Sequence, residues 1–140
     1  MTLFFSINKR KSIIGIFALA FIAITFFQCS NSYRDSKIVY DQYCASCHME
    51  DGTGLRGIIP PLAGSDYLKE HFDELPCIIL LGLQEEIVVN GKTYDQPMAG
   101  IPEMTDFDIV LVINYINHSW GNDAKYTDIR EVRRNIENCK

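Results

Sequence analysis

The sequence predicts an all-α domain with one small β-hairpin, preceded by a segment that directs the chain out of the cytoplasm. Three observations carry this. Apolar residues recur at three- and four-residue spacing in several windows, with capping and breaking residues at the window ends. The one strong strand signal is "IVVNGKTY", whose Asn90-Gly91 pair supplies the positive backbone angles of a tight turn. The first 28 residues hold a long apolar run and only three charges, Lys9, Arg10 and Lys11.

That opening segment has the layout of an export signal. A basic "NKRK" precedes the apolar run 13–27, "IIGIFALAFIAITFF", and then "QCSNS". The run suits a signal core and falls short of the roughly 20 residues that span a bilayer. Cys29 resembles the lipid-accepting cysteine of bacterial lipoproteins, although Phe26 and Gln28 stand where such signals place aliphatic and small residues. Three readings of 1–28 stay open: a lipoprotein signal, an uncleaved membrane anchor, or an ordinary cleaved signal. All place the rest of the chain on the periplasmic side, and two of them tether it to the membrane.

Of 140 residues, 47 % are hydrophobic, and beyond the opening segment 10 basic residues face 18 acidic ones, a balance of about −8. An acidic exported domain lacks the basic face that nucleic-acid binding needs. Its field steers it instead towards basic patches on protein partners.

After a polar linker, 29–36, the domain is expected over 37–138. A first helix is predicted at about 37–47, with Tyr40, Tyr43, Cys44 and Cys47 on one face. Residues 49–64 read as loop, broken by Gly52, Gly54, Gly57, Pro60 and Pro61. Ser65 opens a helical turn. Asp73 is the expected cap of a second helix, "ELPCIILLG", with Pro76 in its first turn and Gly82 as its stop. The hairpin and a second loop, "DQPMAGIPEM", follow. Thr105 and Asp108 form a capping box for a helix over 106–118, with Ile109, Val112, Ile113 and Ile116 inward and Gly121 ending it. A last amphipathic helix, about 128–138, turns Ile129, Val132 and Ile136 inward. A core this small gains from a large buried cofactor.

Cys44-Ala-Ser-Cys47-His48 has the spacing of covalent haem attachment. Each thiol adds to one of two neighbouring vinyl groups, so both must project from one helical turn, and the adjacent histidine then reaches the iron. A redox dithiol would follow a strand and open a helix, whereas this motif ends a helix and precedes glycine-rich loop. A zinc site needs further ligands, and only His71 and His118 are on offer.

The segments "YDQYCASCHMEDGTG", "IPPLAGSDYL", "VNGKTYDQPMAGIPEMTDFDI" and "VINYINHSWGN" together resemble the class I cytochromes c, over residues 37 to about 134. The resemblance is greatest to bacterial single-haem domains, free or fused to nitrite reductases and quinoprotein dehydrogenases, and extends to the helix "YTDIREVR". It implies haem c attached through Cys44 and Cys47, with His48 as one axial ligand. A methionine from the second loop is the other, and Met98 matches that position better than Met104, which falls where relatives place a buried leucine. Pro60 is the implied carbonyl acceptor for the His48 ring and Leu62 a haem-packing residue. Tyr43 and Trp120 match positions near the crossing of the first and last core helices.

The resemblance therefore implies an electron carrier and not an enzyme, monomeric, serving an oxidase, reductase or dehydrogenase through a transient interface. Two other readings remain: a gas-binding or sensing haem protein if the Met98 bond is labile, and a relay subunit of a larger oxidoreductase. Cys77 reads as an unpaired buried residue, with pairing to Cys139 the lesser expectation, and His71 and His118 as solvent-exposed.

Overall fold

The computed structural model describes residues 30–139; the signal or anchor reading of 1–28 and the lipid-accepting role of Cys29 lie outside them. All that follows lies in the unit Asp35–Lys140, apart from the first five residues of the opening helix, Ser30–Arg34. Helix α1 spans Ser30–Tyr43. It begins seven residues ahead of the expected start, so the polar stretch 31–36 is helical instead of a linker. No glycine or proline interrupts that stretch, and Lys37 bonds Asp41 one turn on, at 2.8 Å.

The helix breaks only at Cys44 and resumes as α2, Ala45–His48. Its hydrogen bonding carries through the break, from Cys44 N–H to the Tyr40 carbonyl (2.8 Å) and from His48 N–H to the Cys44 carbonyl (2.9 Å). Met49, with φ of 64°, ends it. The loop expected after it is present, and Ser65 then caps α3, Asp66–Glu70, accepting from Leu68 N–H.

Asp73 is not the cap of the next helix. It lies within a 3-10 turn, Phe72–Glu74, and pairs with Lys125 at 3.5 Å, while α4 runs Leu75–Leu81. Proline in the first turn of α4 and Gly82 at its end, with φ of 81°, are as expected. The hairpin pairs β2, Ile87–Val89, with β3, Lys92–Tyr94, counting the two-residue β1, Gly82–Leu83, first in the chain. Both Asn90 and Gly91 have positive φ. A second pairing joins β1 to β4, Met98–Ala99, antiparallel, with Leu83 opposite Met98. Strands of two residues show no alternation, so nothing in the sequence announces them.

The capping box forms as predicted on α5, Asp106–His118, and Asp128 caps α6, Ile129–Glu137, accepting from the N–H groups of Arg130 and Glu131. Helix α5 stops at His118, ahead of Gly121, because Ser119 is extended and Trp120 and Gly121 both take positive φ. Helix α6 packs on α4 and α5 with Val132 fully buried.

The core centres on α5: Ile109, Val112, Ile113, Tyr115 and Ile116 are buried against Tyr40, Leu68, Leu75, Ile79, Met104 and Val132. Tyr40, Tyr115 and Trp120 form one aromatic cluster, with ring centroids 5.0–5.5 Å apart. Trp120 thus packs near the helix crossing, as its matched position implies.

One cysteine expectation is corrected. Cys77 is bonded to Cys139, with Cα atoms 5.5 Å apart across 62 residues of sequence. The apolar run around Cys77 disguises this, because only the packing of α6 on α4 brings the two together. Among the described residues no helix is long and apolar enough to cross a membrane.

Candidate functional site

Cys44, at the break between α1 and α2, and Cys47 and His48 of α2 line one cavity of about 480 Å³, whose lining is mainly apolar. That volume falls within the roughly 300–1,000 Å³ range of ligand sites. Its walls come from the loop after α2 (Ile59, Pro60, Leu62), from α4 (Leu75, Ile78, Ile79), from α5 (Val112, Ile116) and from the Met98 loop. Burial and the nearby Cys47 push the Cys44 thiol up to about 12, so it is neutral. The Cys47 side chain is exposed, and neither of these cysteines is in a disulfide.

His48 Nδ1 lies 3.2 Å from the Pro60 carbonyl oxygen. A carbonyl only accepts, so Nδ1 carries the proton and donates, leaving the Nε2 lone pair for a metal. Burial holds the imidazole below its usual range, with the Pro60 bond pulling the other way. Burial favours the neutral ring, and the Pro60 bond orients it. Gly54 explains how the carbonyl gets there. Its φ is 66°, and a Cβ on it would collide with the carbonyls of Ile59 and Pro60.

The loop is seated on the helices by three residues. Gly52 carries the face of Trp120, leaving no room for a side chain, and Trp120 Nε1 donates to the Glu50 carbonyl at 3.2 Å. Tyr40 donates its hydroxyl to the Met49 carbonyl at 2.7 Å. Asn122 donates to the carbonyls of Leu62 (2.9 Å) and Ile116 (2.7 Å) and accepts from Gly64 N–H (2.7 Å). A polar residue after a glycine gives no hint in the sequence that it will staple a loop nearly 60 residues away.

Met98 lines the cavity from the side of β4. Its backbone is paired to Leu83, and its carbonyl accepts from Gln84 Nε2 at 3.4 Å. Met104 is buried in the core among α5 residues and does not line the cavity. Pro60, Leu62 and Tyr43 all line it.

The donor set fits a covalently attached haem. Two thiols, one oriented imidazole and one thioether share an apolar chamber, which is the set such a group consumes. The sequence profile of the family described as Cytochrome c matches residues 34–120. The chain belongs to the cytochrome c family.

Cytochrome c-552 of Thermus thermophilus is 41 % identical over 95 residues, covering 65 % of this chain and 71 % of that protein. The cytochrome c subunit of a quinone alcohol dehydrogenase from Gluconobacter oxydans is 31 % identical over 105 residues, covering 68 % of this chain but 21 % of the subunit. The cytochrome c subunit of gluconate 2-dehydrogenase from Pantoea cypripedii is 31 % identical over 102 residues, 69 % of this chain and 23 % of the subunit. The chain therefore spans about a fifth of those dehydrogenase subunits. This is a class I cytochrome c domain, its cofactor is covalently bound haem c, and the family carries electrons.

Two histidine expectations are corrected for this cytochrome. Neither ring is freely exposed: His71 stacks on Tyr67 with centroids 4.0 Å apart and bonds Glu74 at 3.0 Å. His118 stacks on Tyr126 at 3.7 Å and donates from Nδ1 to the Asn114 carbonyl. Polar neighbours in sequence had pointed outward, but stacking on tyrosine takes one face of each ring out of water.

Proposed function

We propose that the protein is an exported one-electron carrier of a respiratory chain, with His48 and Met98 as the residues that would hold one haem iron. The observation that carries the reading is the convergence of Cys44, Cys47, His48 and Met98 on one apolar cavity. Bound haem would supply reversible one-electron gain and loss at its iron, and thioether with imidazole ligation would favour the reduced state.

The chain's own residues do the rest. Cys44 and Cys47 tether the group. Pro60 orients His48 and raises its basicity. Leu62, Ile79 and Val112 keep water out. With His48 and Met98 both holding the iron, no position would be left for a substrate, and the domain would transfer electrons only.

A carrier in its own right is favoured over a relay subunit by similarity, since identity is 41 % to Cytochrome c-552 and 31 % to each of the two dehydrogenase subunits. Export to the periplasmic side accords with the Cys77–Cys139 disulfide, which belongs to an oxidising compartment. Retention at the membrane would then come from a lipid on Cys29 or from the apolar run 13–27. The partners are redox proteins with basic docking faces, met by a monomer.

The test is an absorption spectrum of the ferrous protein with and without carbon monoxide. An unchanged spectrum is expected. Rapid stoichiometric binding would transfer the protein to the gas-binding class.

A further inference from the structure

We propose that the Cys77–Cys139 disulfide is a positioning element for Met98, clamping α4 from behind and thereby holding the strand that carries the sulfur. The inference rests on the reading of Met98 as an iron ligand.

Helix α4 has only seven residues, too few to be stable alone, so its place depends on what anchors it. One anchor is the disulfide to Cys139, beyond the end of α6. On α4 itself, the two residues that follow Cys77, Ile78 and Ile79, both line the haem cavity. The Ile79 carbonyl accepts from Ile101 N–H at 2.8 Å, and the helix runs directly into β1, which pairs Gly82 with Ala99 and Leu83 with Met98.

This joint has no slack. A Cβ on Gly82 would strike the Met98 carbonyl, and one on Gly100 would strike the Leu80 carbonyl. Backbones so closely apposed move together, so a displacement of α4 passes to Met98 instead of being absorbed between them. The family match ends at residue 120, so α6 and Cys139 lie outside it, and the clamp is added from beyond the matched region. Helices α4 and α6 also pack on each other directly, and the segments leading into them meet where Lys125 lies over the Phe72 ring at 4.4 Å. Loss of the disulfide therefore loosens α4 without detaching it.

The test compares the wild-type holoprotein with Cys77→Ala/Cys139→Ala in two measurements. One is amide hydrogen exchange over 98–101 against that over α5. The other is the rate at which imidazole enters the ferric iron's sixth position, followed by absorbance. Both exchange over 98–101 and imidazole entry should rise roughly tenfold, with α5 unchanged. Rates within about twofold of wild type, or an equal rise over α5 and 98–101, overturn the proposal; the latter would make the disulfide a general stabiliser only.

Met98→Ala separates the two layers. If imidazole enters that variant no faster than wild type, the ligand reading fails, and hydrogen exchange alone judges the clamp. If the double variant takes up no haem, wild-type holoprotein replaces it, reduced with a phosphine, capped with iodoacetamide and reoxidised at iron with ferricyanide. The same two outcomes decide.

Discussion

Gly54 lies directly beneath the Pro60 carbonyl, so close that not even a methyl group fits between them. That carbonyl is the one bonded to His48, so the smallest residue in the loop governs the orientation of the imidazole. Gly54→Ala places a side chain at φ of 66°, a strain of about 1–3 kcal/mol, and pushes the carbonyl away as well. The expected result is a lower melting temperature together with a more positive reduction potential, because a ring without its acceptor is the poorer donor to iron. Thermal melts and a redox titration check both.

Met98 and Met104 separate cleanly. Met98→Ala should lower the potential and let added imidazole or carbon monoxide bind. Met104→Leu keeps volume and apolarity in a buried site, so it should cost less than about 1.5 kcal/mol and leave the haem spectrum alone. The reverse pattern would reassign the ligand.

Asn122 makes three bonds that fasten the haem-facing loop to α5. Asn122→Ala leaves the Leu62 and Ile116 carbonyls without that partner, and about 1–3 kcal/mol of stability should go with it. Chemical denaturation of the holoprotein measures the loss.

The cap on α5 gives a smaller, local test. Thr105 accepts from Asp108 N–H at 3.2 Å and Asp108 bonds back to Thr105 N–H at 3.1 Å. Thr105→Ala should cost about 1 kcal/mol, while Thr105→Ser should cost less.

Asp128 sets an acid limit for α6. Its bonds from the N–H groups of Glu131 and Arg130 hold its carboxyl below the usual carboxylate range. A depressed folded value means that its contribution is fully present above about pH 3.9 and is lost as pH falls through the lower, folded value. Amide exchange at Arg130 and Glu131, corrected for its intrinsic pH dependence, should therefore accelerate selectively across that acid window. Asp128→Asn should flatten the dependence.

Local signals in the chain revealed much of this architecture. Ser65 and the Thr105–Asp108 box marked the starts of α3 and α5, because a cap is a short-range bond written in adjacent letters. Asn90-Gly91 placed the hairpin for the same reason. The cysteine pair and His48 were equally legible, since attachment chemistry dictates their spacing, and Met98 was separable from Met104 by the resemblance. What stayed hidden depends on distant parts meeting. The disulfide, the β1–β4 pairing, the Asn122 staple and the space beneath Pro60 all join segments whose proximity no local pattern records. The start of α1 was missed for another reason: polar residues permit helix as readily as linker.

The chain has a single tryptophan, and its indole lies flat on Gly52 in the loop that follows His48. Its emission therefore reports, without any added label, whether that loop is seated on α5. Quenched fluorescence in the haem-loaded state and its recovery on unfolding would give a continuous optical readout of assembly at one known point in the molecule.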